Sequence, residues 1–258
     1  APQLEWKESA CVGCGACLAA APEARASEYA GKRHVDVRAL AGDSEGGRAA
    51  VAACPTHALT CTGKTKTVDE VLDVCLQDRP FYEDSGGGVT LSGGEALIWP
   101  HFCEELLERL HTQGIDTCVE TEAYVEPGTF QHIASMLDHM LIDLKHVNSS
   151  KLREHTGAKN DLMLQNLAWA LDHHPDVTPR TPVIPGFNDS LEEARAMARW
   201  IRQVGGTRVQ LLPFHNFGEG KYALIDMPYT LHGIANLRPD DLADYRQVYL
   251  DEGGEAFF

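Results

Sequence analysis

The feature that most constrains the fold is a regular alternation of short β-favouring runs with amphipathic helical stretches, which begins at about Thr67. Strands that alternate with helices in this way form a parallel sheet whose crossover connections are helical. The pattern predicts five strands, which are too few for a closed eight-stranded barrel. A doubly wound sheet and an open partial barrel therefore remain as alternatives. The runs are Val89–Ser92, Thr117–Thr121, Met140–Leu144, Arg180–Ile184 and Val209–Leu212.

The residues before this alternation have a different composition. They are rich in Ala, Gly and Cys and show only weak hydrophobic periodicity. Such a texture is typical of a small domain that is organised around a cofactor rather than around a large apolar core. We therefore predict two domains, residues 1–66 and residues 67–258.

Composition and charge exclude several classes of function. The formal net charge of −16 argues against a nucleic-acid partner, because binding to a phosphate backbone depends on clustered Lys and Arg. No apolar run reaches about eighteen residues, and the first residues lack the basic and apolar regions of a signal peptide. We expect a cytoplasmic protein with no membrane partner, in which cysteines remain available for a metal rather than for disulfides.

Four cysteines follow the ligand spacing of bacterial ferredoxins. Cys11, Cys14 and Cys17 are each three residues apart, and Cys54 lies far downstream, directly before Pro55. In two-cluster ferredoxins the cysteine before proline ligates the cluster of the other half. The ligands of a second cluster are all missing here, since the corresponding positions are Ala21, Ser44, Gly47 and Ala50. The pattern predicts one [4Fe–4S] cluster, bound by Cys11, Cys14, Cys17 and Cys54.

A zinc site and free buried thiols are the alternatives for these cysteines. Structural zinc favours two separated C-x2-C pairs, and a third cysteine at the same spacing is unusual for it. The remaining cysteines lack any ligand spacing and are interpreted as small apolar core residues. They are Cys61, Cys75, Cys103 and Cys118.

The glycine-rich segment at residues 86–95, GGGVTLSGGE, places backbone without side chains at the end of an apolar strand, where a ligand can approach the main chain. A phosphate-binding loop does not fit, because no Lys-Ser or Lys-Thr follows the glycines. The segment locally resembles the signature of transport ATPases, but the chain has no G-x4-G-K-[ST] loop. A purely structural turn is the remaining alternative.

GGGVTLSGGE resembles the strand of radical S-adenosylmethionine activating enzymes. Five later segments resemble the same family in the same order: VETEAYV, MLIDLKHV, HTGAKN, TPRTPVIPGFND and LLPFHNFGEGKY. The chain is therefore identified as a member of the glycyl-radical-enzyme activating enzymes, of which pyruvate formate-lyase activating enzyme is the best known. The resemblance implies an incomplete (β/α)6 partial barrel that lacks its first strand, with an N-terminal ferredoxin-like iron–sulfur insert.

The resemblance also implies a binding site for S-adenosylmethionine at the carboxyl ends of the strands. The backbone of Gly93, Gly94 and Glu95 would bind the amino group of the methionine moiety. Four charged or polar side chains would contact the ribose, the carboxylate or the adenosyl region. These are Asp143, Lys145, Arg180 and His215.

Glu120 and Thr121 match an Asp-Thr pair that, in the family, helps to hold a monovalent cation near the ligand carboxylate. Glutamate replaces aspartate here, which leaves the cation open. Considered alone, Asp143 and Lys145 could equally form a surface ion pair, because residues two apart on a strand share a face. His215 alone could be a structural histidine.

One departure from the family concerns the catalytic cluster. Family members carry C-x3-C-x2-C after the first barrel strand, and this sequence has no such motif. We therefore expect no catalytic cluster ligand in this chain and interpret it as an inactive fragment. The complete protein would use S-adenosylmethionine and a second [4Fe–4S] cluster to generate a 5′-deoxyadenosyl radical and install a glycyl radical on a partner enzyme.

The electron donor implied by the resemblance is a flavodoxin or a ferredoxin-type protein. A function of a different class also remains open, in which the chain is an iron–sulfur electron-transfer or S-adenosylmethionine-binding module without catalysis of its own. Release of 5′-deoxyadenosine separates the two.

Overall fold

A computed structural model of the chain describes residues 2–258, which divide into two compact units. The first unit runs up to Thr65 and also includes His215–Ala235; the second comprises Lys66–Phe214 and Asn236–Phe258. The predicted boundary after residue 66 lies beside this division. His215–Ala235, however, was predicted to belong to the barrel and groups with the first unit.

The first unit contains two short antiparallel strand pairs and small helices. Strand β1 pairs with β4 and strand β2 pairs with β3, and the buried core between these elements contains Leu4, Trp6, Val35 and Leu59. Cys11, Cys17 and Cys54 pack against the same core. The elements are β1 (Gln3–Trp6), α1 (Ala16–Ala20), β2 (Ala26–Tyr29), β3 (Lys32–Val35), α2 (Glu45–Ala52) and β4 (Leu59–Thr62), and Glu219–Leu224 is a further helix, α10 in chain order.

The second unit is built on a six-stranded parallel sheet in the order β10-β9-β8-β7-β6-β5. Helices connect successive strands, as the alternating pattern predicts. The elements are α3 (Val68–Cys75), α4 (Arg79–Ser85), β5 (Gly88–Leu91), α5 (Pro100–Thr112), β6 (Asp116–Thr121), α6 (Pro127–Ala134), β7 (His139–Asp143), α7 (Ser149–Thr156), α8 (Asp161–His173), β8 (Val177–Val183), α9 (Leu191–Gln203), β9 (Arg208–Pro213), α11 (Ala243–Asp251) and β10 (Glu255–Phe257).

The predicted count of five strands is wrong, because the described sheet has a sixth, β10, which pairs with β9. This strand has only three residues, Glu255–Phe257, and a segment that short shows no periodicity. The five predicted runs correspond to β5 through β9. Strand β8 begins at Val177, earlier than predicted, and both Pro179 and Pro182 lie within it.

The two faces of the sheet differ in chemistry because side chains alternate along each strand. One face is apolar and is buried in the main core of the unit, with Val119, Met140 and Leu211 almost completely inaccessible to solvent. The opposite face carries Glu120 and Arg180. This arrangement leaves one face of a parallel sheet available for polar chemistry, as a partial barrel requires.

Helix α9 illustrates how the sequence forms the covering layer. Ser190 caps the helix by accepting a hydrogen bond from the backbone N–H of Glu193, at 3.2 Å. The buried residues recur at helical spacing on one face. They are Ala194, Met197, Ala198 and Ile201.

Gly88 begins the strand that leads into the glycine-rich loop. A Cβ atom at this position would lie 1.9 Å from the backbone oxygen of Asp116 on the neighbouring strand. Only glycine therefore permits this approach of β5 to β6. No helix formed by residues 2–258 combines the length and apolarity that a membrane crossing needs.

The amino-terminal edge of the sheet carries a charged network around His139. Its Nδ1 lies 2.7 Å from Asp176 Oδ2, and its Nε2 lies 3.1 Å from Asp116 Oδ2. Arg208 donates to Asp176 and to the hydroxyl of Thr178. The hydrogen bond to Asp176, reinforced by Asp116, raises the pKa of His139 above its usual value.

This network predicts a pH-dependent stability. The pKa of His139 is raised in the folded chain. Its contribution to the free energy of unfolding is therefore complete below the pKa of the unfolded chain, about 6.5, and is lost as the pH rises through the pKa of the folded chain. We expect the melting temperature to fall as the pH rises from about 5.5 to about 8, the range over which histidine titrates. The fall should be smaller in high salt, which screens the charges. His139→Gln should flatten this part of the profile. An unchanged profile in that variant would contradict the assignment.

Candidate functional site

The four cysteines with ferredoxin spacing lie around one pocket in the first unit. Cys11, Cys14, Cys17 and Cys54 all line this pocket. Glycines in left-handed conformations, Gly13 and Gly15, turn the chain between them, with φ of 70° and 69°. Cys54 follows α2, which brings it back to the first three cysteines although it is distant in sequence. We call this the cysteine pocket.

Backbone N–H groups are directed at two of the sulfur atoms. The N–H of Gly13 donates to Cys11 Sγ, and that of Leu59 donates to Cys54 Sγ, each at 3.4 Å. Burial raises the pKa of the Cys54 thiol, but hydrogen bonds from Leu59 and Thr56 outweigh this effect and leave it below its usual value. Such bonds favour the thiolate, the form that binds metals.

The four thiols of the pocket are the donor set that an iron–sulfur cluster takes. Among residues 2–258, no group of three or more His, Cys, Asp or Glu side chains is placed to hold a single metal ion. A [4Fe–4S] cluster binds each thiolate through a different iron, so its ligands are spread around a cavity. Trp6 also lines the pocket, and its buried indole N–H has no hydrogen-bond partner among the described residues. The sulfur atoms of a cluster would supply acceptors there.

The other cysteines lie outside the cysteine pocket. Burial raises the pKa of Cys75, Cys103 and Cys118, as expected for unreactive thiols in apolar surroundings. Cys103 is fully buried, as predicted. Cys61 is exposed, so its prediction as a core residue is wrong. Only the first residue of β4, Leu59, is buried, and the three that follow it are exposed.

In the second unit, the loop after β5 presents an open stretch of backbone. Gly93 and Gly94 have φ of 89° and 63°. A Cβ atom placed on either glycine would have no other atom within 4 Å. The Glu95 carboxylate accepts hydrogen bonds from the Thr121 hydroxyl at 2.7 and 2.8 Å and from the Glu122 N–H at 3.0 Å. Glu95 therefore ties this loop to the end of β6 and leaves the glycines accessible.

Arg180 lies between two carboxylates on the polar face of the sheet. It donates to Glu120 at 2.9 Å and to Asp143 at 3.1 and 3.2 Å. Register explains the contact, because Asp143 and Arg180 are direct partners on neighbouring strands. Ser92 also donates to Glu120, at 2.9 Å. The structure thus brings Glu120, Asp143 and Arg180 into one network.

Burial and charge act in opposite directions on this network. Burial raises the pKa of Asp143, and the nearby Arg180 and Lys145 do not fully offset it. Burial also disfavours the charged form of Glu120, but hydrogen bonds from Ser92 and Arg180 lower its pKa below the usual value. For Arg180, the two carboxylates outweigh burial and raise the pKa. The polar face therefore holds a fixed cation between two acids of different proton affinity.

Lys145 forms an ion pair with Glu122. Sequence reasoning missed Glu122, although it lies within the VETEAYV segment, two residues after Glu120. His215 belongs to the first unit, where its ring stacks on that of Phe217 with centroids 4.6 Å apart. The other residues predicted for the ligand site all belong to the second unit.

Comparison with known proteins agrees with this arrangement. A family model described as "Radical SAM superfamily" matches residues 53–201. The choline trimethylamine-lyase activating enzyme of Oleidesulfovibrio alaskensis is 37% identical over 250 residues, covering 93% of this chain and 78% of that protein. The 4-hydroxyphenylacetate decarboxylase activating enzyme of Clostridioides difficile strain CD196 is 34% identical over 205 residues, covering 79% of this chain and 65% of that protein.

Similarity to solved structures concerns the fold. A domain of pyruvate-formate lyase-activating enzyme from Bacteroides vulgatus superposes with a TM-score of 0.56 at 24% identity, covering 67% of this chain and 99% of that domain. The predicted partial-barrel fold and the predicted family are both confirmed. The chain belongs to the radical SAM superfamily and, within it, to the activating enzymes of glycyl radical enzymes.

Proposed function

We propose that this chain carries the S-adenosylmethionine site and the electron-relay cluster of an enzyme that installs a glycyl radical on a partner protein. The observation that carries the proposal is the joint presence of two features in one chain. One is the polar network of Glu120, Asp143 and Arg180 beside an open glycine backbone. The other is a pocket lined by four cysteines. Family relatives named as activating enzymes support it.

When bound, a catalytic [4Fe–4S] cluster and S-adenosylmethionine would supply the radical chemistry, that is, reductive cleavage of the ligand and removal of a hydrogen atom from glycine. The chain's residues bind and orient the ligand. The Gly93 and Gly94 backbone accepts the amino group, and the cation of Arg180 and the carboxylate of Asp143 hold polar groups of the ligand. Lys145 and His215 are further proposed contacts.

Glu120 and Thr121 match a pair that, in the family, helps to hold a monovalent cation, and the replacement of aspartate by glutamate leaves that role open. Glu120 is engaged by Arg180 and Ser92, and the Thr121 hydroxyl is engaged by Glu95. A cation at this pair would have to compete with these hydrogen bonds.

The cysteine pocket is proposed to bind one [4Fe–4S] cluster that passes electrons onward, since iron–sulfur centres suit electron transfer. A flavodoxin or ferredoxin-type protein in the cytoplasm would supply the electrons. The partner that receives the radical is a glycyl radical enzyme, in keeping with the relatives that activate choline trimethylamine-lyase and 4-hydroxyphenylacetate decarboxylase.

The test compares the 258-residue chain with the same chain joined to an upstream strand and a C-x3-C-x2-C loop. We expect the 258-residue chain, reconstituted anaerobically with iron and sulfide and given a strong reductant, to release no 5′-deoxyadenosine above background, because its cluster would have four cysteine ligands and no open iron. The joined chain should bind a second cluster, release 5′-deoxyadenosine and generate a glycyl radical signal on a partner.

Variants of the joined chain test the ligand site. Asp143→Ala and His215→Ala should leave both clusters assembled and lower ligand binding or cleavage roughly tenfold to a hundredfold, as loss of a polar contact worth about 1–3 kcal/mol would. Cleavage without any glycyl radical would refute the activating role. Turnover by the 258-residue chain alone would refute the cluster assignment.

The alternative role is an iron–sulfur electron-transfer or S-adenosylmethionine-binding module without catalysis of its own. Two assembled clusters in the joined chain with no cleavage of S-adenosylmethionine would support that role instead.

A further inference from the structure

Lys145 and Glu122 form an ion pair at the carboxyl ends of two neighbouring strands. Glu122 directly follows β6 and Lys145 lies two residues after β7, and these strands pair in parallel. The side chain of Lys145 is 22% exposed, whereas that of Glu122 is 45% exposed. The cation is therefore largely enclosed, and the carboxylate that binds it is the more accessible member of the pair.

The backbone on both sides of Glu122 is fixed, although its side chain is accessible. The Glu122 N–H donates to the Glu95 carboxylate at 3.0 Å. The next residue, Ala123, is completely buried and has a left-handed φ of 54°, which a residue other than glycine keeps only where its surroundings hold it. The side-chain amide of Asn166 donates to the Ala123 backbone oxygen at 2.9 Å. Glu122 can therefore leave Lys145 by rotation of its own side chain, without movement of the backbone.

The other acids near Lys145 are engaged by a different cation. Asp143 lies close enough for its charge and that of Lys145 to interact, but it accepts hydrogen bonds from Arg180. Arg180 also donates to Glu120. Among the described residues, Glu122 is the carboxylate with which Lys145 forms an ion pair. The arrangement thus gives the ammonium of Lys145 one accessible and exchangeable carboxylate partner.

A second carboxylate would reach the same region on the ligand. The methionine part of S-adenosylmethionine carries its carboxylate on the same carbon atom as the amino group that the Gly93 and Gly94 backbone is proposed to bind. Glu95 ends this glycine segment and holds the Glu122 N–H, so the glycines and the ion pair belong to adjoining parts of one site. An ammonium group binds a carboxylate by charge and by hydrogen bonds, whichever molecule carries it.

We propose that Glu122 is an internal competitor of the ligand: its carboxylate and that of S-adenosylmethionine bind the same Lys145 ammonium in turn. The inference rests on the proposed S-adenosylmethionine site and adds to it a residue that sets the affinity. Binding exchanges one ion pair for another, and the released Glu122 side chain is hydrated, since it is already nearly half exposed. Removal of the Glu122 carboxylate therefore strengthens binding, and only for a ligand that carries a carboxylate.

The test measures the binding of two ligands to the 258-residue chain by isothermal titration calorimetry. One is S-adenosylmethionine, and the other is its decarboxylated form, which keeps the adenosyl and amino groups. Glu122→Gln should bind S-adenosylmethionine about fivefold more tightly, which corresponds to about 1 kcal/mol for a partly exposed ion pair. It should bind the decarboxylated form no more tightly than the wild-type chain does.

Two controls separate competition for Lys145 from other effects of the substitution. Glu126→Gln removes the same charge from an exposed position four residues further along the chain and should change neither affinity. In a Lys145→Gln background the shared cation is gone, so adding Glu122→Gln should give no gain in affinity. Glu122→Ala also removes the carboxylate and should reproduce the gain, and it replaces Glu122→Gln if that variant does not fold.

Weaker or unchanged binding of S-adenosylmethionine in Glu122→Gln would overturn the inference. An equal gain for both ligands, or a gain that persists without Lys145, would overturn it as well. Failure of the wild-type chain to bind either ligand is a different result. It would refute the proposed S-adenosylmethionine site itself, on which the inference rests.

Discussion

Cys54→Ala is expected to abolish stable cluster binding, because it removes one of four thiolates that line the cysteine pocket. Anaerobic reconstitution of the wild-type chain should give about four irons for each chain, the content of one [4Fe–4S] cluster. The variant should retain little iron after desalting and lose most of the visible charge-transfer absorption. The structural reason is that Cys54 lines the pocket together with Cys11, Cys14 and Cys17, so its loss leaves three thiolates for a cluster that binds four.

Cys61→Ala is the matched control, since Cys61 is also a cysteine of the first unit but is exposed and does not line the pocket. It should bind iron as the wild type does. A content of about eight irons for each wild-type chain, or zinc that displaces iron, would contradict the assignment of one ferredoxin-type cluster. Full iron retention in Cys54→Ala would contradict the role of Cys54.

Arg180→Ala is expected to destabilise the second unit, because it leaves the carboxylates of Glu120 and Asp143 without their cation. The side chains of Arg180 and Asp143 are only 14% and 20% exposed, whereas that of Glu120 is 36% exposed and retains contact with water. Breaking a fully buried pair costs about 3–5 kcal/mol, so we expect a smaller loss of about 2–3 kcal/mol in the free energy of unfolding. Chemical denaturation would measure it.

Two further variants separate charge from geometry. Arg180→Lys keeps the positive charge but lacks the planar guanidinium that reaches both carboxylates. We therefore expect it to lower the free energy of unfolding by less than Arg180→Ala does. Adding Asp143→Asn to Arg180→Ala removes one uncompensated acid and should recover part of the stability. If Arg180→Ala unfolds at the wild-type denaturant concentration, the network makes no net contribution to stability.

The sequence predicted the architecture best where the chain repeats a simple pattern. Strands β5 to β9 were found because each has a buried face or a run of β-favouring residues between helical segments. Strand β10 was missed because Glu255–Phe257 is too short to show a pattern and is stabilised by pairing with β9. Its position depends on tertiary context, which local propensity does not contain.

The candidate sites were predictable to the extent that their residues lie in motifs. The cysteine spacing predicted which four residues line the cysteine pocket. The family resemblance predicted the residues that form the polar network. The pairings were not predictable. The contact between Glu120 and Arg180, for example, joins residues 60 positions apart along the chain.

The segment His215–Ala235 has a consequence for the modularity of this chain. The first unit is not a terminal appendage joined at one point, since the backbone passes between the units after Thr65, after Phe214 and after Ala235. A deletion that begins the chain at Lys66 would remove the four cysteines of the cysteine pocket but leave His215–Ala235 behind. Any attempt to transplant the first unit into another protein, whether by an engineer or by recombination between genes, must therefore carry two separated stretches of coding sequence together.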